Sequence, residues 1–160
     1  MTSKTKIKSR IKIREMVYED LEIILELERK IFPDPWIFDA FADHVHDKNW
    51  GGFIAEFESG IIGYACYYIA AAEAHLTNIA VVEEFRRKSV AKLLLDNILE
   101  VVRGARCEHL LLEVRPSNKS AISFYEKHDF KFLYQRPRYY HNPIEDAWVM
   151  VSYLEYDKEE

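Results

Sequence analysis

Two neighbouring stretches decide the fold: NIAVVEEFRRKSVAKLLL at 78–95 and LLLEVRPSNKSAISFYEKHDF at 110–130. The first starts as an apolar strand, passes through a basic turn and continues as a helix. Within 88–103, Val90, Leu94, Ile98 and Val101 fall on one side of that helix, and Lys92, Asp96, Glu100 and Arg103 on the other. This is the pattern of a helix with one face in a core. The second stretch belongs to HLLLEV at 109–114, nearly all apolar, as a strand buried on both faces should be. Beyond Pro116 the sequence predicts a helix over 117–128, with Ser117 as its cap and Asn118 at its start.

Outward from these stretches the elements alternate. IKIREM at 11–16 sets Ile11 and Ile13 against Lys12 and Arg14, a half-buried strand. YEDLEIILELERKIF at 18–32 puts Leu21, Ile24, Leu25, Glu28 and Phe32 near one helical stripe, which Pro33 and Pro35 stop. A second helix is predicted over 36–46. GGFIAEF and GIIGYACYYIA then read as two strands joined through Glu58, Ser59 and Gly60, and AHLTNIAVV as a third. Further strands follow near 130–136 and 146–154. The order predicts an α/β (α+β) chain: a mixed sheet with helices on both faces, in one domain.

Composition narrows the function. The chain has 160 residues, 49% of them apolar and 31% charged, as in an ordinary globular protein. No apolar run reaches the ~18 residues of a membrane span, and the start lacks an apolar signal region. The net charge of −5 argues against a nucleic-acid binder. Residues 1–14 carry six basic side chains and no acidic one, so the remaining 146 residues carry −11. That body suits a small cationic partner such as an amine or a basic peptide. The basic start over 1–9 reads as a solvated tail ahead of a domain over 10–156. Cys66 and Cys107 lie in apolar stretches and read as buried thiols in a reducing cytoplasm. His44 and His46 fall on different sides of a helix, so no metal site is expected.

Two local arrangements carry chemistry. A strand ending in NIAVV, a turn bearing Arg86, Arg87 and Lys88, and a helix starting near Lys88 together form an anion-binding arrangement. The first amides of a helix lack internal partners, and its dipole favours negative charge there. In the second arrangement, Glu113 ends an apolar run, either as a solvated strand end or as a carboxylate held in a cleft. Asn118, Ala121 and Tyr125 share one helix face over about two turns. If that helix starts beside the end of HLLLEV, Glu113 and Tyr125 supply a base and an acid to one cleft.

These residues resemble the acetyl-CoA-binding core of the Gcn5-related N-acetyltransferases (the GNAT family). The likeness is strongest to the branch that acetylates protein N-termini, which includes bacterial enzymes acting on the N-terminal alanine of ribosomal protein S18. It extends from IKIREMVYEDLEIILELE through FPDPW to RYYHNPIEDAWVM. The resemblance implies a mixed, mostly antiparallel central sheet and acetyl-CoA as co-substrate, with no metal. It assigns the backbone of Ile79, Ala80 and Val81 to the pantetheine arm and acetyl group. Arg86 supplies charge at the turn, and the amides of Arg87, Lys88, Ser89, Val90, Ala91 and Lys92 wrap the pyrophosphate. Asn118 binds near the reactive end. Glu113, directly or through water, deprotonates the incoming ammonium, and Tyr125 protonates the departing thiolate. The amine attacks the thioester directly, and a strand amide near Val81 stabilises the oxyanion. Phe32, Trp36, Tyr139 and Tyr140 frame the peptide entrance, with Glu145 and Asp146 adding negative charge near the ammonium.

One position departs from the family pattern. Ser89 stands where an R/Q-x-x-G-x-G/A turn has its first glycine. A residue in the first helical turn needs only ordinary helical dihedrals, which serine adopts, so a modified, working cradle is expected. The expected partners are acetyl-CoA and a protein or peptide N-terminus, ribosomal or otherwise, with no nucleic acid or membrane. Two alternatives share the core: an acetyltransferase for a small amine or a lysine side chain, and a non-catalytic module binding acyl-CoA or a protein.

Overall fold

A computed structural model describes residues 3–156. In chain order the elements are α1 (Ser3–Lys8), β1 (Lys12–Glu15), α2 (Leu21–Ile31), α3 (Phe38–His46), β2 (Trp50–Phe57), β3 (Gly60–Ala70), β4 (Glu73–Val81), α4 (Val90–Gly104), β5 (His109–Val114), α5 (Lys119–Lys127), β6 (Lys131–Tyr140) and β7 (Glu145–Tyr153). Short 3-10 turns lie at Tyr18–Asp20 and Glu83–Phe85. The strands order as β1-β2-β3-β4-β5-β7-β6. The β4–β5 pair is parallel, and β1–β2, β2–β3, β5–β7 and β6–β7 are antiparallel, so the sheet is mixed and mostly antiparallel, as expected. Within the basic start Ser3–Lys8 is helical, while Met1 and Thr2 lie outside the described residues. Among the described residues no helix is long and apolar enough to cross a membrane.

The sequence reads as one domain, and the fold groups into two compact units. One comprises the chain up to Tyr68 with Thr77–Val101, the other Ile69–Leu76 with the chain from Val102 onward. In the first unit, β2 and β3 are joined by Glu58 and Ser59, whose φ angles of 49° and 63° give the two-residue turn that suits the twist of paired strands. Successive residues of β3 then face opposite ways. Tyr64 turns to α2 and α3, its ring edge-on to Phe41 at 5.8 Å, in a core with Leu21, Ile24, Leu25 and Ile54. Gly63 turns to α4, and helices therefore cover both faces of this part of the sheet. A side chain at Gly63 would begin 2.9 Å from the Ala80 carbonyl and 3.2 Å from Val90. Only glycine lets β4 and the start of α4 come this close to β3. Cys66 and Cys107 are both buried and free.

In the second unit β5 pairs with β7 along its length, Glu113 opposite Val149, around a core of Leu111, Val149 and Val151. β6 is interrupted twice, between Phe132 and Tyr134 and between Arg136 and Tyr140. At the second irregularity Arg138 takes φ 51°, and Asp146 accepts from its N–H at 2.7 Å. Irregularities of this kind re-aim side chains beside functional sites; here they set Tyr139 and Tyr140.

Candidate active site

In the first unit the turn after β4 is built differently from the sequence expectation. α4 begins at Val90 rather than near Lys88, and Arg87 and Ser89 have φ of 60° and 65°. Ser89 is therefore left-handed, not helical. The family glycine is explained by that backbone, and serine holds it at a cost of about 1–2 kcal/mol. The Leu93 N–H closes the first α4 hydrogen bond on the Ser89 carbonyl at 3.0 Å. The amides of Val90, Ala91 and Lys92 lie ahead of that bond and suit an anion.

The basic side chains partly serve the turn itself. Arg86 donates from Nε to the Val81 carbonyl at 3.2 Å, and Lys88 donates from Nζ to the Glu84 carbonyl at 2.7 Å. Lys92 pairs with Asp96 one turn along. Arg86, Arg87 and Ser89 are exposed, and Arg86 ties the turn to the end of the strand carrying Ile79, Ala80 and Val81. The residues present thus fit a pyrophosphate: exposed positive charge, leading helix amides and a turn anchored to β4. Ser89→Gly relieves the left-handed cost but adds about 0.5–1 kcal/mol of chain entropy. A net gain of about 0.5 kcal/mol in unfolding free energy is expected by denaturant titration. A loss of stability would show that the seryl hydroxyl, not the backbone, dominates this position.

Next to β4 lies a group whose role the sequence did not disclose. Glu28 belongs to the buried stripe of α2 and is almost fully enclosed. Its carboxylate accepts from the Tyr64 hydroxyl in a short hydrogen bond, from Asn78 Nδ2 at 3.1 and 3.2 Å, and from the Trp36 N–H at 3.1 Å. Burial raises its pKa against these three donors, which favour the charged form. Glu28 thereby joins the FPDPW segment to β4 one residue before Ile79. Phe32 ends α2, and the Trp36 ring stacks on His44 at 5.5 Å and tilts against Phe41 at 5.1 Å. His44 is neutral: burial lowers its pKa, Nδ1–H donates to the Ala40 carbonyl, and Nε2 accepts from the Thr77 hydroxyl.

The second unit holds the predicted acid and base. Tyr125 is buried on α5, edge-on to Phe124 and Phe130. Burial raises the pKa of its phenol, which stays protonated well above neutral pH. Glu113 is partly buried on β5, its Oε1 3.3 Å from Arg136 Nη1. Tyr140 links the two, since its phenol lies within electrostatic reach of both Glu113 and Tyr125 and is itself raised chiefly by burial. Tyr139 packs edge-on to Tyr140 at 5.0 Å and is also raised by burial, then by Glu113.

Asn118, not Ser117, caps α5: its side-chain oxygen accepts from the Ala121 N–H at 3.2 Å, which leaves the amide NH₂ as its donor. Ser117 instead donates its N–H and hydroxyl to Glu145 at 2.8 and 2.7 Å. Glu145 and Asp146, expected to face an ammonium, are thus engaged in structure. Glu145 is held below the usual carboxylate range by Ser117 and Arg115, and Asp146 by the Arg138 N–H and Gln135. Arg115 clamps the following turn, donating to the carbonyls of His141 at 2.7 Å and Pro143 at 2.9 Å and lying over the Tyr140 ring at 4.4 Å.

A putative ribosomal protein bS18-alanine N-acetyltransferase of Bacillus subtilis is 30% identical over 144 residues, covering 89% of this chain and 95% of the relative. An N-alpha-acetyltransferase of Sulfolobus acidocaldarius is 28% identical over 167 residues, covering 96% and 99%. The crystal structure of the ribosomal-protein-S18-alanine N-acetyltransferase from Escherichia coli superposes with a TM-score of 0.83 at 25% identity, covering 94% of this chain and 99% of that one. Residues 20–130 match the sequence model of the Acetyltransferase (GNAT) family, and the chain belongs to that family.

Proposed function

We propose that this acetyltransferase moves the acetyl group of acetyl-CoA to the α-amine of a protein N-terminus, with ribosomal protein S18 as a candidate acceptor. The observation that carries the reading is the grouping of a carboxylate, Glu113, and a phenol that keeps its proton, Tyr125, about Tyr140. Acetyl-CoA supplies the activated acyl group and a thiolate leaving group. The α4 turn from Arg86 to Lys92 holds its pyrophosphate, and Asn118 offers its NH₂ to the arm. The backbone of Ile79, Ala80 and Val81 orients the thioester, and an amide near Val81 faces the developing oxyanion. Glu113 accepts the proton of the acceptor ammonium, directly or through one water. The neutral amine attacks the thioester carbon, the C–S bond breaks as Tyr125 gives its proton to the departing thiolate, and the extra proton on the new amide nitrogen returns to the Tyr125 oxygen. An α-ammonium, with a reference pKa of ~7.7–8.0 against ~10.4 for lysine, is within easy reach of such a base. Phe32, Trp36, Tyr139 and Tyr140 frame the entrance for the peptide. The setting that suits this activity is the cytoplasm.

Release of CoA thiol tests the reading, with peptides bearing free or blocked N-termini, the N-terminal segment of S18 among them, and with small polyamines. Turnover confined to free N-termini supports it. Turnover with polyamines or with N-blocked lysine peptides would replace the acceptor, and acetyl-CoA binding without any turnover would make the chain a binding module.

A further inference from the structure

We infer that Arg136 is a positioning residue for the reaction: it aims the Glu113 carboxylate until the acceptor ammonium takes its place. The inference rests on the reading of Glu113 as the base. Arg136 reaches Glu113 across an intervening strand. Glu113 lies opposite Val149, and Arg136 lies opposite Ala147, two residues along the same strand β7. Paired residues share a face, and residues two apart on a strand do too. All four therefore lie on one face; two strand spacings of about 9.5 Å and a two-residue offset of about 7 Å separate the backbones, and the arginine and glutamate side chains bridge them together. The residue it crosses beside is Ala147, the smallest of the group and fully buried. A larger side chain there would obstruct the path.

The contact itself has the character of an exchangeable partner. It is a single interaction of 3.3 Å, and the Arg136 side chain remains about half exposed. A paired fork of two short bonds would be far harder to displace. Arg136 also already lies over the Tyr139 ring, 4.6 Å from its centroid, where it can remain when Glu113 turns to another cation. The charged and titratable groups around Glu113 leave this task to Arg136. Tyr139 and Tyr140 face it from β6 as neutral phenols, their ionisation displaced upward by burial. Arg115, just past the end of β5, spends its guanidinium on the carbonyls of His141 and Pro143, on Glu145 and on the Tyr140 ring. A guanidinium stays charged at every working pH, so the contact is available throughout.

The test is the pH profile of kcat/KM, measured with one peptide acceptor for wild type, Arg136→Gln, Arg136→Lys, Glu113→Gln and the double variant Glu113→Gln/Arg136→Gln. The acceptor's own titration is then common to all five. Loss of the aiming contact should lower kcat/KM about tenfold at pH 7 in Arg136→Gln and much less near pH 9, where the free amine is present without a base. Arg136→Lys should restore most of the activity at pH 7. In the Glu113→Gln background Arg136→Gln should change nothing further. The inference is overturned if Arg136→Gln leaves kcat/KM at pH 7 unchanged, or lowers it equally at all pH values, while Glu113→Gln lowers it mainly at low pH. If Glu113→Gln itself keeps the wild-type profile, Glu113 is not the base, and the role of Arg136 falls with it.

Discussion

Replacing Tyr125 by phenylalanine is expected to lower kcat by about 100-fold while acetyl-CoA affinity stays within about threefold, the loss typical of a positioned general acid. The substitution removes one oxygen and keeps the ring, so the edge-on packing against Phe124 and Phe130 survives. A single-turnover measurement with a saturating peptide, beside an equilibrium titration of acetyl-CoA, separates the two quantities. The sign of the pH dependence follows from burial. A phenol whose pKa is raised keeps its proton beyond the ordinary tyrosine range near 10. The wild type should therefore lose no activity through Tyr125 up to about pH 10. An equal loss of turnover and of acetyl-CoA binding in the variant would make Tyr125 a packing residue only.

Glu113→Gln should lower kcat/KM by about 100-fold at pH 7, and the deficit should shrink as pH rises. Below ~8 the acceptor is mostly an ammonium and needs a base; above it the free amine is present without one. Near pH 9 the variant should approach wild type within about tenfold. The side chain is isosteric, and the Arg136 it leaves behind is half exposed, so the fold should tolerate the change. A deficit of the same size at every pH would mean that Glu113 holds structure rather than a proton. An unchanged profile would remove it from the mechanism.

Much of this was legible in the sequence because period and position coincide there. The outward row of Lys92, Asp96, Glu100 and Arg103 and the buried Val90, Leu94 and Ile98 follow the helical spacing. HLLLEV reads as a buried strand and lies between β4 and β7. What escaped depends on three-dimensional pairing. Serine is not a signal for positive φ, so the left-handed turn at Ser89 was invisible, although the missing glycine marked the place. Ser117 and Asn118 are both good caps, and the choice fell to Asn118 because Glu145, 28 residues away in sequence, occupies Ser117. Glu28 stood in the predicted apolar stripe as its one charged member. A buried carboxylate at such a position demands donors, and these come from Tyr64, Asn78 and Trp36. Arg136 could not be found by local reasoning, because its reach to Glu113 requires the register of two strand pairs and an irregularity in β6.

The central claim is that the acceptor is an α-amine. It is tested most directly on one peptide carrying a free N-terminus and an internal lysine, incubated with acetyl-CoA and the enzyme, with the acetyl group then located by fragmentation mass spectrometry. The account predicts acetylation at the N-terminal nitrogen alone, lost in Glu113→Gln at pH 7. Acetyl found on the lysine, or on neither amine while acetyl-CoA is bound, would contradict it.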